Sequence, residues 1–184
     1  MKRSRSFNKE CSIARAMEVV GDRWSILLLR EAFYGTRRFD DFQYYLGVAP
    51  NILSTRLKKF VDRGVMTRVP LPEHSGRYEY VLTKKGRDFF PTYLSLKKWG
   101  DDWLAEPEGP QVVFRDRASG RPIEYPAILS ARGKPLQLEE VEIIPGSGAV
   151  PFNRERFGGQ PLEETAVKPK RISRNRRKSI SLKK

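Results

Sequence analysis

The sequence predicts an α+β fold, mostly helical with a single two-stranded β-hairpin, followed by a small β-rich C-terminal extension. Three observations predict it. Apolar residues recur at helical spacing from residue 12 to residue 63, interrupted at Gly21, Gly35 and Gly47. Two β-branched, alternating runs, 65–69 and 77–82, flank a loop punctuated by Pro70, Pro72 and Gly76. After Pro107 the composition changes to short runs separated by Ser-Gly, Arg-Gly and Pro-containing turns.

Each element follows from its residues. Ile13, Ala16, Met17 and Val20 share one face of a first helix, which Gly21 breaks. A second helix from about Asp22 to Tyr34 is apolar on most sides through Trp24 and Ile26 to Leu29, and Gly35 suits its C-cap. Asp40 is read as the cap of a short third helix, 41–46, with Phe42 and Leu46 four residues apart. Pro50 suits the first position of a fourth helix, because its missing N–H costs nothing there; Gly64 ends that helix. After the hairpin, Thr83 caps a helix rich in aromatic residues that runs to Leu104, with a kink expected at Pro91. Two further hairpins are expected in the extension, 112–117 with 123–127 and 128–138 with 141–144.

The 184 residues suffice for one or two small domains. Apolar residues make up 39% and charged residues 32%, and no run approaches the roughly 18 apolar residues of a membrane-spanning helix. A charged amphipathic stretch follows the basic N-terminus, where a signal peptide would have an apolar block, so no membrane partner is expected. A single cysteine and a single histidine exclude a disulfide framework and leave little for metal binding or His-based catalysis. Asp116, Glu124, Glu139 and Glu140 lack an accompanying nucleophile–base pair or phosphate-binding glycine loop. The expectation is a non-enzyme with no cofactor and no metal. The net charge of +14 sits mainly in the tails: residues 166–184 hold nine basic groups and no acidic one. Four domains are read: a basic arm 1–10, a core domain 11–104, the extension 105–165, and a basic tail 166–184 expected to be disordered.

Three helices, a recognition-type helix, a hairpin and a last helix make the order of a winged helix-turn-helix. On the fourth helix Leu53, Leu57, Phe60 and Val61 share an inner face. The opposite face carries Asn51, Thr55, Lys58 and Asp62, flanked by Ser54 and Lys59. An amide, hydroxyls and a lysine are the groups that read base edges or hold phosphates in a major groove. An ordinary solvated helix face would carry the same residues; what shifts the balance is Arg37 and Arg38 before the third helix and Arg68 and Arg77 on the hairpin, where cations would meet phosphates. His74 at the hairpin tip is either a groove or phosphate contact or a solvated loop histidine.

Several motifs carry a resemblance: Cys11-Ser-Ile, Gly21-Asp-Arg-Trp24, Arg38-Phe39, Ala49-Pro-Asn-Ile-Leu-Ser-Thr-Arg-Leu57, Gly64-Val65, Arg77-Tyr-Glu-Tyr-Val-Leu-Thr83, Lys85-Gly86, Pro91 and Trp99-Gly100. In this order and spacing, over residues 11–104, the chain resembles the HxlR family of bacterial and archaeal transcription regulators, which are MarR-like winged-helix homodimers that bind pseudo-palindromic operators. The resemblance implies a recognition helix from Pro50 to Arg63, DNA contacts at Asn51, Ser54, Thr55 and Arg56, and a wing at 65–82. The helical wheel sets Arg56 nearer the protein side, so it either reaches a phosphate or braces the helix. The chain departs from the family pattern at Ala49, often Ser, and at Asp22-Arg23, often Gly-Lys.

The resemblance also puts a dimer interface on the first and last helices, where Ile13, Met17, Phe90, Leu94, Trp99 and Trp103 exceed what so small a domain can bury. Intramolecular core is the alternative for these residues. Cys11, at a helix start near Arg15, is either a redox or electrophile sensor or a small filler. The extension resembles one that carries paired zinc cysteines in some relatives, but here Ser119, Leu129 and Arg132 stand in those places. The expected partners are double-stranded DNA, a second copy of the chain, and a small-molecule or redox effector, in the cytoplasm of a prokaryote. Repression is favoured over activation because it needs only promoter occupancy. A winged-helix module that binds protein or RNA without catalysis is the alternative.

Overall fold

The computed structural model describes residues 11–71, 76–104, 107 and 109–158. The chain divides into two compact units, Met1–Leu129 and Ser130–Lys184.

In the first unit, α1 (Ser12–Val20) starts at Cys11, whose Sγ accepts a hydrogen bond from the Ala14 N–H, and ends at Gly21. Asp22 caps α2 (Arg23–Tyr34), and Gly35 ends it in the left-handed region at φ 102°, which costs glycine little. The third helix, α3 (Phe39–Leu46), begins two residues earlier than expected. Arg38 holds the N-cap position because it bridges to Glu79 of the hairpin, and Asp40 and Asp41 fall in the first turn, where the helix dipole favours them. The next helix, α4 (Pro50–Asp62), has proline in its first turn, and no side chain caps it at Ala49.

Strands β1 (Met66–Pro70) and β2 (Tyr78–Leu82) pair antiparallel, with Met66 opposite Leu82 and Pro70 opposite Tyr78. Pro70, which donates no ladder hydrogen bond, stands at the end of its strand, as proline in a sheet requires. The expected single helix after the hairpin is two: α5 (Lys84–Arg87), capped by the Thr83 hydroxyl, and α6 (Phe90–Trp103). Pro91 lies in the first turn of α6, where no hydrogen bond is lost, so it starts a helix instead of kinking one.

The core forms where α2, α3, α4 and β1 converge, on Leu28, Leu29, Phe42, Leu53, Leu57, Phe60 and Met66. A second apolar cluster joins Phe33 of α2 to Phe90 and Tyr93 of α6, and Phe114 closes over it with its ring centroid 5.4 Å from that of Phe90. The Tyr34 and Tyr93 hydroxyls meet at 3.0 Å across the α2–α6 seam. Burial and this bond push the Tyr93 phenol well above its ordinary pKa, so it stays neutral.

Beyond α6 the first expected hairpin is reduced to a tight turn. Arg115 bridges Pro122, Asp116 N–H donates to the Arg121 carbonyl, and Ile123 N–H donates to that of Phe114. The second expected hairpin, 128–138 with 141–144, does not form. In the second unit Gln137 and Glu140 cap each other around a 3₁₀ turn, Leu138–Glu140, and Lys134 pairs with Glu140 at 2.8 Å. Pro135 withholds one of the ladder donors such a pair would need. A last helix, α7 (Pro151–Phe157), completes that unit.

Candidate nucleic-acid interface

One side of α4 is sealed and the other is open. Leu53, Leu57 and Phe60 are fully buried, whereas Pro50, Asn51, Ser54, Thr55 and Lys58 are exposed. Two of the outward groups already have local partners. The Thr55 hydroxyl donates to the Asn51 carbonyl at 2.8 Å, and Lys58 pairs with Asp62 at 2.6 Å. The Thr55 oxygen keeps acceptor capacity toward solvent, and the Asn51 amide projects free of either bond.

Arg56 and Lys59 stand apart from this face. Both are half-buried and turn toward Asp22 at the start of α2: Arg56 Nε lies 3.1 Å from Oδ1 and Lys59 Nζ 3.7 Å from Oδ2. Arg56, expected either to reach a phosphate or to brace the helix, and Lys59, expected as a DNA contact, both pair with Asp22 in the free chain. The physical reason is their spacing, since residues three apart lie on one side of a helix. Arg56 Nε is buried without a well-aligned hydrogen bond, so charge and not directional bonding holds it. Asp22 also accepts from Ser25 N–H at 3.0 Å and Ser25 Oγ at 2.7 Å. Burial raises its pKa, but the two Ser25 bonds and the charges of Arg56 and Lys59 outweigh it, leaving the carboxyl below its ordinary range.

The hairpin and the start of α3 form a cleft of about 440 Å³, lined by Arg38, Phe39, Asp40, Arg68, Arg77 and Tyr80 among others. Three of the four arginines expected to flank a groove therefore converge, against one carboxylate, Asp40. The fourth, Arg37, faces Glu79 at 3.6 Å. Tyr80 N–H donates to the Arg37 carbonyl at 2.8 Å, so residues 37–38 run as a short edge beside β2. This edge escaped the sequence reading because it is too short to show alternation. Arg68 stacks over the Tyr78 ring at 3.9 Å, which holds its guanidinium flat on the hairpin. His74 lies outside the described residues.

The apolar residues expected at an interface divide in two. Ile13, Met17, Trp99 and Trp103 are exposed, Trp103 by 74%. Leu94 is only 5% exposed, and Phe90 is half-buried in the aromatic cluster. Cys11 is exposed. Among the described residues no cluster of His, Cys, Asp or Glu is placed to hold a metal ion, and no helix is long and apolar enough to cross a membrane.

Relatives place this arrangement in a family. Residues 19–108 match the HxlR-like helix-turn-helix family. An HTH-type transcriptional regulator of Mycobacterium tuberculosis is 40% identical over 137 residues, which is 74% of this chain and 87% of the relative. The chain belongs to the HxlR family of helix-turn-helix transcriptional regulators. Two solved structures of proteins described as transcription factors resemble this HxlR chain. PA1607 is 40% identical, with 74% of this chain and 95% of its own covered and a TM-score of 0.69. PA1374 from Pseudomonas aeruginosa is 39% identical, with 79% and 99% covered and a TM-score of 0.55. The chain is thus a helix-turn-helix transcriptional regulator with a winged fold, and its partner class is DNA.

Proposed function

We propose that two copies of this HxlR regulator, joined through α1 and α6, occupy a pseudo-palindromic operator and repress the gene behind it. In each copy α4 lies in a major groove, with the hairpin on the adjacent backbone or minor groove. One observation carries the reading: α4 buries Leu53, Leu57 and Phe60 on one side while presenting Asn51, Ser54, Thr55 and Lys58 on the other. A major groove about 12 Å wide admits one helix with such a face. Arg38, Arg68 and Arg77 supply sequence-independent phosphate contacts beside it. Exposed Ile13, Met17, Trp99 and Trp103 support pairing of copies, because isolated domains seldom leave so many large apolar groups in water. The basic tail, 166–184, adds affinity for any duplex through counterion release. The regulator acts in the prokaryotic cytoplasm, where its DNA lies. Exposed Cys11 is the position where an oxidant or electrophile would act as a signal; a response that survives Cys11→Ser assigns the signal elsewhere.

The test is selection by the full chain from a random pool of DNA duplexes and, in parallel, from a random pool of RNA. An inverted repeat with half-sites about 10 base pairs apart supports the reading. Enrichment of RNA or of no sequence supports instead a module that uses the same basic surface for another partner.

A further inference from the structure

Both cations on the inner flank of α4 end on one carboxylate, and that carboxylate belongs to another helix. We propose that Asp22 is a positioning residue for sequence discrimination: it holds Arg56 and Lys59 away from the DNA backbone and fixes which face of α4 meets the bases. The inference rests on the reading that α4 enters the groove.

The first part of the reasoning is mechanical. Apart from this brace, α4 meets α2 and α3 through Leu28, Leu29, Phe42, Leu53, Leu57 and Phe60. Apolar contact is non-directional, so it resists separation better than it resists rotation of α4 about its own axis. A rotation of about 20° swings a side-chain tip roughly 5 Å from the axis through about 2 Å, enough to break a base-edge hydrogen bond. Asp22 opposes that rotation from a fixed point. Its carboxylate is held by two hydrogen bonds from Ser25, whose side chain is fully buried, and it reaches α4 at two positions one turn apart.

The second part is electrostatic. Arg56 and Lys59 keep 29% and 27% of their side chains exposed, on the flank of the helix that would lie beside a phosphate strand. Set free, they would add phosphate contacts that strengthen binding to every sequence alike. With Asp22 between them the three side chains carry a net +1; without its charge the two cations would present +2 to DNA. Asp22 therefore suppresses indiscriminate affinity while orienting the groups that discriminate.

Asp22→Asn separates these roles from simple stability, because asparagine caps a helix about as well as aspartate. The full chain and its Asp22→Asn variant are titrated by fluorescence anisotropy with a duplex selected by the wild type and with a scrambled duplex, across a range of KCl concentrations. The expected result is a preference for the selected duplex about tenfold lower in the variant. Its affinity for the scrambled duplex rises, and the salt slope steepens by about 0.9 for each cation released per subunit. The thermal melting point changes little. In an Arg56→Gln/Lys59→Gln background, adding Asp22→Asn should leave the scrambled-duplex affinity and slope unchanged, since no cation remains to be released. That pair of proteins serves as the comparison should the single variant fold poorly. Wild-type preference and slope in Asp22→Asn overturn the proposal, as does a slope increase that persists in the Gln/Gln background. A wild-type chain that prefers no duplex overturns instead the reading of α4 on which the proposal stands.

Discussion

Asn51 and Thr55 occupy the part of α4 that is free of the protein's own packing, and their chemistry differs. The Asn51 amide is the group suited to pair two edges of an adenine, and a good bidentate contact discriminates by about 1–3 kcal/mol. Asn51→Ala should weaken operator binding by roughly tenfold or more, with melting temperature unchanged, as anisotropy titration and calorimetry can check. Thr55 spends its hydroxyl proton on the Asn51 carbonyl, so Thr55→Ala should cost less. Asp22 makes a second residue-level expectation, about acid. Its pKa lies below its ordinary range in the fold, so its stabilising contribution is complete above about pH 4 and is lost as pH falls through the folded value. The carboxylate is partly exposed, so the effect is small. In Asp22→Asn the decline of stability on acidification should be shallower than in the wild type, as read by urea denaturation at stepped pH. At this scale the outward face of α4 was legible in the sequence because a helical wheel needs no tertiary information. The brace on Arg56 and Lys59 was not, because its acceptor comes from a helix far away in the chain.

At the scale of elements, glycine and proline carried most of the reading. Gly21, Gly35, Gly47 and Gly64 stand where α1 to α4 stop, and the 65–82 hairpin followed from alternation around a proline-rich loop. Local signals misled where a tertiary contact overrode them. Asp40 has the chemistry of a cap, yet the bridge from Arg38 to Glu79 starts α3 earlier. Pro91 in a long apolar pattern resembles a kink, yet α5 ends before it, and Gly86 of α5 is pressed against the hairpin. A Cβ at Gly86 would sit 2.3 Å from the Val65 carbonyl oxygen and 2.9 Å from a Leu82 methyl group. Gly86→Ala should therefore destabilise the domain by about 1–3 kcal/mol, the cost of overpacking, and disturb the hairpin's seat on the core. Phe60→Ala, which empties the centre of the α2–α3–α4 junction, should cost more, about 3–5 kcal/mol. Chemical denaturation distinguishes the two by magnitude.

At the scale of the whole molecule, function depends on how many copies meet the DNA. One recognition helix covers a few base pairs, and two coupled copies multiply their affinities through a high effective concentration. Trp99→Glu with Trp103→Glu places charge in the exposed apolar surface of α6. The variant should sediment as a single chain and lose at least about a hundredfold in operator affinity, with its circular dichroism unchanged. Removing residues 166–184 should lower affinity for all duplexes and flatten the salt dependence while preserving sequence preference. Family membership and the winged fold were readable from motif order alone, whereas the partial burial of Phe90 was not, because the sequence does not show that Phe114 folds back against its ring.

The decisive measurement is the affinity of the full chain for an enriched palindromic duplex against the same duplex with both half-sites scrambled, at one fixed salt concentration. Two copies reading base edges through α4 should favour the intact site by at least about a thousandfold, with two chains bound per duplex. Equal affinity for the two duplexes, or a single chain bound at saturation, would contradict it.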